Sequence, residues 1–335
     1  MLSIRNNIFP QCVTFCSARV FLIRIYGRCN LSTILVTGGR GFIGTNLVLE
    51  LRSRGHNVFT CDLVHADDPQ HSRADVGNFE QLQKVLTSQK FDYVYHLAAE
   101  YGRWNGEDYY QNLWHTNVVG TKHLLRLQES LKFKQIFFSS CEVYGDYEGL
   151  MTEDLLEKIS IRQLNDYALS KWVGEQQVLN SAEMFGTESV RVRPLNCYGP
   201  HEHYSSYRGV IPIMVYRALK KIPYTVYGGH LRVFDYVGDT VRTLANIVDN
   251  FIPGEVYNIG SDEEWGVDIA TLSNMILEKI GIDDSLVTYS EQEKFTTKVK
   301  IVDLSKSRED LGHKATINLS QGLDLYIAWM SKTYS

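Results

Sequence analysis

From residue 33 onward the chain repeats one local pattern, a short β-branched or aromatic run followed by a longer amphipathic stretch. Residues 34–36, 57–61, 91–98, 136–139 and 189–192 read as strands, and 42–54, 79–88, 109–131 and 166–185 as helices. Strands separated by whole helices pair in parallel, because a parallel pair needs a crossover connection. The pattern therefore predicts an α/β fold, a doubly wound parallel sheet covered on both faces. After Arg193 the character changes: loops rich in Tyr, Gly and His at 197–209 and 227–231 mix with isolated helices at 210–219, 239–250 and 269–280. We expect a sheet domain over 33–193 and a smaller interleaved region mainly over 194–335, with 233–258 returning in part to the first.

Composition narrows the partners. A net charge of -5 with scattered basic residues leaves no electrostatic footprint for nucleic acid or an anionic membrane, so neither is expected as a partner. Six cysteines lack CxxC spacing and ten histidines lack HExxH spacing, which predicts reduced thiols, no metal site and a cytoplasmic setting. Residues 1–32 stand apart. No Asp or Glu occurs before Val48, and Arg5, Arg19, Arg24 and Arg28 punctuate apolar residues, as in a targeting presequence or a leader upstream of the fold. Arg24 interrupts the one apolar run there, which is far shorter than the ~20 residues of a membrane span.

The stretch Thr37-Gly38-Gly39-Arg40-Gly41-Phe42-Ile43-Gly44 joins the first strand to the first helix. Glycines 38, 41 and 44 let backbone approach a pyrophosphate at the positive helix N-terminus and let helix pack on sheet. Asp62 ends the second strand, where a carboxylate can accept from both ribose hydroxyls and would repel a 2′-phosphate. The expected cofactor is NAD. Arg40 is the residue that argues the other way.

Tyr167-Ala168-Leu169-Ser170-Lys171 sets a phenol and an amine four residues apart, on one helix face with about 5–6 Å between β-carbons. A neighbouring ammonium favours the phenolate, which can then act as a base near neutral pH. Together with HLAAE at 96–100, Asn117 in NVVGT, SSCEVYG at 139–145, RPLNCYGP at 193–200 and RVFDYVGD at 232–239, these segments resemble the extended short-chain dehydrogenase/reductases of the nucleotide-sugar epimerase/dehydratase type.

That resemblance implies a Rossmann-type NAD domain with cofactor contacts from Gly38, Gly41, Phe42, Ile43, Gly44, Asp62, Asp75, Val76, Leu97, Ala98, Ala99, Asn117, Tyr167 and Lys171. It implies that Tyr167 deprotonates the hydroxyl on sugar carbon 4, that Lys171 holds the nicotinamide ribose, and that Ser140 hydrogen-bonds the reacting oxygen. Asn196 and Arg232 are expected at a substrate diphosphate, Arg208 at the nucleotide, and Tyr101 and Arg103 beside the sugar. The helices at 109–131 and 166–185 are expected to form a four-helix contact in a homodimer.

The resemblance also frames the reaction. A 4-keto sugar has an acidified proton on carbon 5, and Glu142 matches the glutamate that takes this proton in 4,6-dehydratases. Cys141 departs from the Asp or Ser beside that glutamate; it is either a proton donor or an inert buried thiol. The leading expectation is a 4,6-dehydratase. UDP-glucuronate decarboxylase and NDP-sugar epimerase are the alternatives, and Arg103 supports the former if it pairs with a substrate carboxylate rather than packing on Trp104. A protein that binds NAD and a nucleotide sugar without turnover is the reading from another class.

Overall fold

The computed structural model describes residues 31–291 and 296–335; the leader reading of 1–32 falls almost wholly outside the described residues. Seven parallel strands form the central sheet in the order Val256–Ile259, Ser189–Pro194, Lys134–Phe138, Tyr93–His96, Thr33–Thr37, Asn57–Asp62, His71–Arg73. The chain winds outward from Thr33–Thr37 in both directions, so sequence neighbours lie on opposite sides of a switch point at the carboxyl ends. The inner strands are buried on both faces, as their continuous apolar runs require: Ile34, Leu35, Val36, Val94, Tyr95, Ile136, Val190 and Val192 are all shielded from solvent.

Local chemistry sets the helix ends. Asn165 caps Asp166–Phe185 by accepting from the Ala168 N–H at 2.9 Å, and Gly186 in the left-handed region closes it. That helix buries Tyr167, Ala168, Ser170, Lys171, Gly174, Glu175, Val178 and Ser181 along one stripe. Asn78 caps Phe79–Leu86 in the same way.

Several elements differ from expectation. The strand expected over 91–98 spans Tyr93–His96, because the Ala98 N–H turns to the Thr37 hydroxyl at 3.2 Å and leaves the ladder. The helix expected over 109–131 is broken into Tyr110–Trp114 and Thr121–Leu131 by a π-helical turn, His115–Gly120. The wider turn carries Asn117, whose side chain locks onto the Glu100 backbone and the Ser170 hydroxyl. The helix expected over 239–250 runs instead over Val237–Asn246. The edge strand His71–Arg73 was too short and polar to be anticipated.

Beyond Pro194 a four-stranded sheet joins Val267–Asp268, Leu231–Arg232 and Val299–Val302, with Leu150–Met151 from the first half of the chain added at its edge. Tyr224–Tyr227 pairs in parallel with Val287–Ser290. An apolar cluster of Ile211, Met214, Leu272, Ile276, Leu323, Tyr326 and Met330 holds the helices of this half together. Among the described residues no helix is long and apolar enough to cross a membrane, and no group of three His, Cys, Asp or Glu residues gathers that could hold a metal ion.

Candidate active site

A cleft of about 930 Å³ runs along the carboxyl ends of the parallel strands and under the second half of the chain. Every site residue expected from the sequence lines it except Asn117, which stands behind the wall and braces Glu100 and Ser170.

The glycine turn forms the floor. Gly38 has φ +67°, and a Cβ there would stand 2.7 Å from the Ala98 nitrogen; a Cβ on Gly44 would collide with the Gly38 carbonyl. The helix Phe42–Ser53 opens without a side-chain cap, so its first N–H groups point toward the floor as an anion site needs. Asp62 accepts the Arg40 N–H at 3.0 Å at the end of its strand. The Arg40 guanidinium turns away to Asp68 at 3.0 Å, and Arg52 reaches the same carboxylate at 3.1 Å. Asp68, which also accepts the Gln70 N–H, lies below the usual carboxylate range through that bond and the two guanidiniums. Arg40, the sequence's one argument for a 2′-phosphate, is thus engaged, and the wall presents Asp62. Asp75 folds back to the Gly77 N–H at 2.8 Å beside the buried Val76. A cradle closed to Cβ atoms, an uncapped helix and a ribose-ready carboxylate fit NAD.

The strand Lys134–Phe138 delivers Ser139 and Ser140 to the centre of the cleft. Ser140 caps the short 3-10 turn Cys141–Tyr144 by accepting the Glu142 N–H at 3.2 Å, and its hydroxyl lies near the Tyr167 phenol, whose pKa it works to lower. Burial pushes Tyr167 well above the ordinary phenol range, and the nearby Tyr101 adds to this, so the unliganded site holds a neutral phenol. Lys171, four residues on, donates to the Phe138 carbonyl at 2.9 Å and lies 5.9 Å from the Tyr167 ring. Its burial brings the ammonium down to about 8, partly offset by Glu175.

Glu142 has a partner that the motif does not contain. The Lys300 ammonium, from the strand Val299–Val302, forms an ion pair with its carboxylate. Burial works to raise the Glu142 carboxyl; Lys300 overcomes it, helped by Arg232 and Arg103, and leaves it below its usual range. Cys141 is 3 % exposed and packs with Tyr144, Met151, Leu195, Val233 and Val302. Burial pushes its thiol up to about 11, which favours the inert reading.

The sugar end differs from expectation in detail. Tyr101 meets Tyr167 edge to face at 5.5 Å between centroids, and the Arg208 guanidinium stacks over Tyr101 at 5.5 Å. Arg103 stacks over Trp104 at 5.3 Å. Asn196 donates to the Val233 carbonyl. Arg232 donates to the carbonyls of Leu231, Thr297 and Lys298 and to the Thr296 hydroxyl, so its guanidinium holds 296–298 against its own strand. Besides Lys300, the sequence reading passed over Glu202, a 3 % exposed carboxyl in the wall with an unpartnered Oε2. Burial pushes it up to about 8 against the pull of Arg208. It also passed over Glu175 and Arg193 beneath the floor.

The decisive comparison follows from this geometry: the model of the NAD dependent epimerase/dehydratase family matches residues 34–260. The chain belongs to that family. Its cofactor is NAD, and the sheet is that family's Rossmann fold. The chain is 30% identical over 312 residues to UDP-N-acetyl-alpha-D-glucosaminuronate decarboxylase of Bacillus cytotoxicus, covering 88% of this chain and 96% of the relative. It is 28% identical over 334 residues to dTDP-glucose 4,6-dehydratase of Neisseria meningitidis serogroup B, covering 88% and 92%. Among solved structures, UDP-glucose 4-epimerase from Thermotoga maritima with UDP-glucose superposes with a TM-score of 0.82 at 26% identity, covering 90% of this chain and 100% of that one. These relatives perform three different reactions.

Proposed function

We propose that this family member oxidises carbon 4 of a nucleotide-linked hexose and then eliminates water across carbons 5 and 6, as a 4,6-dehydratase. The observation that carries the reading is the ionised Glu142 carboxylate, held by Lys300 in the same cleft as Ser140, Tyr167 and Lys171. A reaction that stops at carbon 4 has no use for a second base.

Bound NAD supplies a hydride acceptor at carbon 4, a donor at carbon 6 and a positive ring that favours the Tyr167 phenolate. Tyr167 removes the proton from the carbon 4 hydroxyl while Ser140 donates a hydrogen bond to the same oxygen. Lys171 supplies positive charge beside the phenol and holds the cofactor's ribose. Once carbon 4 is a ketone, Glu142 takes the acidified carbon 5 proton, exchanges it with solvent and later delivers a proton back to carbon 5. In this reading the half-chain 33–193 carries the cofactor and 194–335 mainly covers the sugar, with Tyr101, Arg103, Asn196, Arg208 and Arg232 toward the nucleotide sugar.

Uronate decarboxylation is the second reading. The support from charge is Lys300, whose ammonium sits at Glu142 where a substrate carboxylate could also be met; Arg103, stacked on Trp104, does not add to that support. The similarity to a glucosaminuronate decarboxylase supports it as well.

Incubation with UDP-, GDP-, CDP- and dTDP-hexoses and with the matching uronates in deuterated water separates the readings by mass and NMR. The dehydratase reading expects loss of water with deuterium at carbon 5. Loss of carbon dioxide or simple inversion at carbon 4 would overturn it. Tyr167→Phe should abolish 4-keto formation; wild type and variant alike forming none would point to a binding protein without turnover.

A further inference from the structure

Elimination of water needs two proton transfers, and the site so far supplies one. Hydroxide is a poor leaving group, so the oxygen on carbon 6 must be protonated as its bond to carbon breaks. Cys141 fills the position next to the base, yet it is packed in an apolar cluster and its thiol is pushed up to about 11.

Lys300 is placed differently. In the strand Val299–Val302 burial alternates, and Lys300 shares the inward face with Val302, where the pattern calls for an apolar side chain. Its side chain is 4 % exposed, its ammonium touches the Glu142 carboxylate, and it lines the cleft. A buried ammonium is costly unless paired, and here the pairing partner is itself the base that takes a proton during the reaction.

We propose that Lys300 is the acid of the elimination, protonating the oxygen that leaves carbon 6 while Glu142 takes the proton from carbon 5. The proposal rests on the dehydratase reading above. The step balances without oxidant or reductant. The carbon 5–hydrogen pair becomes the carbon 5–carbon 6 double bond, the carbon 6–oxygen pair departs with oxygen, and the Lys300 proton completes water. Glu142 is left as the acid and Lys300 as the amine, which regains its proton from solvent in the cleft. The two transfers reinforce each other. Protonation of Glu142 removes the counter-charge that makes the buried ammonium tolerable, so giving up its own proton relieves Lys300 at that moment.

The test compares wild type, Lys300→Arg and Lys300→Gln on the UDP-, GDP-, CDP- and dTDP-hexoses of the panel above and on their 6-deoxy-6-fluoro analogues, whose fluoride leaves without a proton. Arginine keeps the charge beside Glu142 but does not give up a proton in proteins. We expect Lys300→Arg to retain carbon 5 deuterium exchange, to lose water release on the order of a hundredfold or more, and to release fluoride near the wild-type rate. Lys300→Gln should show the same contrast between fluoride and water against a lower carbon 5 exchange. Wild-type water release by Lys300→Arg would overturn the proposal, since charge alone would then suffice. Equal slowing on hydroxyl and fluoro substrates would overturn it too, leaving Lys300 a structural partner of Glu142. Wild-type protein that releases neither water nor fluoride would instead sink the dehydratase reading, and the acid role with it.

Discussion

Arg193 grips Glu175 with two prongs, Nε to Oε1 at 2.9 Å and Nη2 to Oε2 at 2.7 Å, under the floor of the cleft. Glu175 also accepts from the Ser139 hydroxyl, and Arg193 donates to the Tyr144 hydroxyl at 2.9 Å. The pair ties the helix that carries Tyr167 to the strand end that carries Ser140. Both side chains are buried, so removing Arg193 leaves Glu175 the longer pair with Arg191 at 3.6 Å, and removing Glu175 strands the Arg193 charge. Arg193→Met should cost about 3–5 kcal/mol in urea unfolding, and the double variant Glu175→Leu/Arg193→Met should lose less. A single variant no weaker than the double one would contradict this.

The same Glu175 feeds the chemistry. Lys171 loses its proton as pH rises through about 8, and the Glu175 charge holds that value up against burial. The rate of carbon 4 oxidation should therefore fall on the alkaline side near pH 8. Glu175→Gln should move that limb to lower pH, which stopped-flow absorbance of the reduced cofactor across a pH series will read.

At the other end of the cofactor site, Asp62→Ala should weaken NAD binding roughly tenfold or more, the worth of charge-assisted hydrogen bonds to ribose. Because Asp68 retains Arg40, that change alone should not create strong NADP binding. Asp62→Ala/Asp68→Asn should raise the NADP to NAD affinity ratio above that of the single variant. Fluorescence titration checks both, and an unchanged ratio would refute the part given to Asp68.

Glu142→Gln should keep NAD affinity and carbon 4 oxidation while abolishing solvent exchange at carbon 5. Its carboxyl sits below the usual range, so in wild type the exchange should persist as pH drops past the ordinary carboxylate value. Exchange that collapses near pH 5 would show that Lys300 does not hold the charge.

Glu202 has the opposite sign. Its folded value, pushed up to about 8, lies above that of an unfolded glutamate, so its contribution is complete at acid pH and is lost as pH rises toward 8. Glu202→Gln should gain thermal stability relative to wild type between pH 5 and pH 8.5. Melting curves at the two values decide it, and a constant difference would rule out a buried neutral acid.

How much of this could be read from the chain depends on how local each feature is. The parallel strands, the Gly38–Gly44 turn with Asp62, and the Tyr167–Lys171 spacing are legible because neighbours in sequence create them. The break at His115–Gly120 was hidden, since apolar periodicity barely changes when one turn widens; the signal was Asn117, a polar residue on the inward face. Arg232 was recognisable as a motif residue, but its bonds to 296–298 depend on a strand that pairs with it from far along the chain. Lys300 was illegible for the same reason: nothing near it in sequence marks it, and its meaning comes from Glu142, which lies 158 residues away.

That distance has a consequence for how the molecule is made. All seven strands of the central sheet precede residue 260, whereas Lys300 lies on a strand of the smaller sheet beyond it. During synthesis the ribosome delivers the cofactor cradle, the phenol and the carboxylate before the ammonium that completes them. A nascent chain thus carries the cradle, the phenol and the carbon 5 base before it carries the ammonium that keeps that base charged, so the site is finished last at its sugar end.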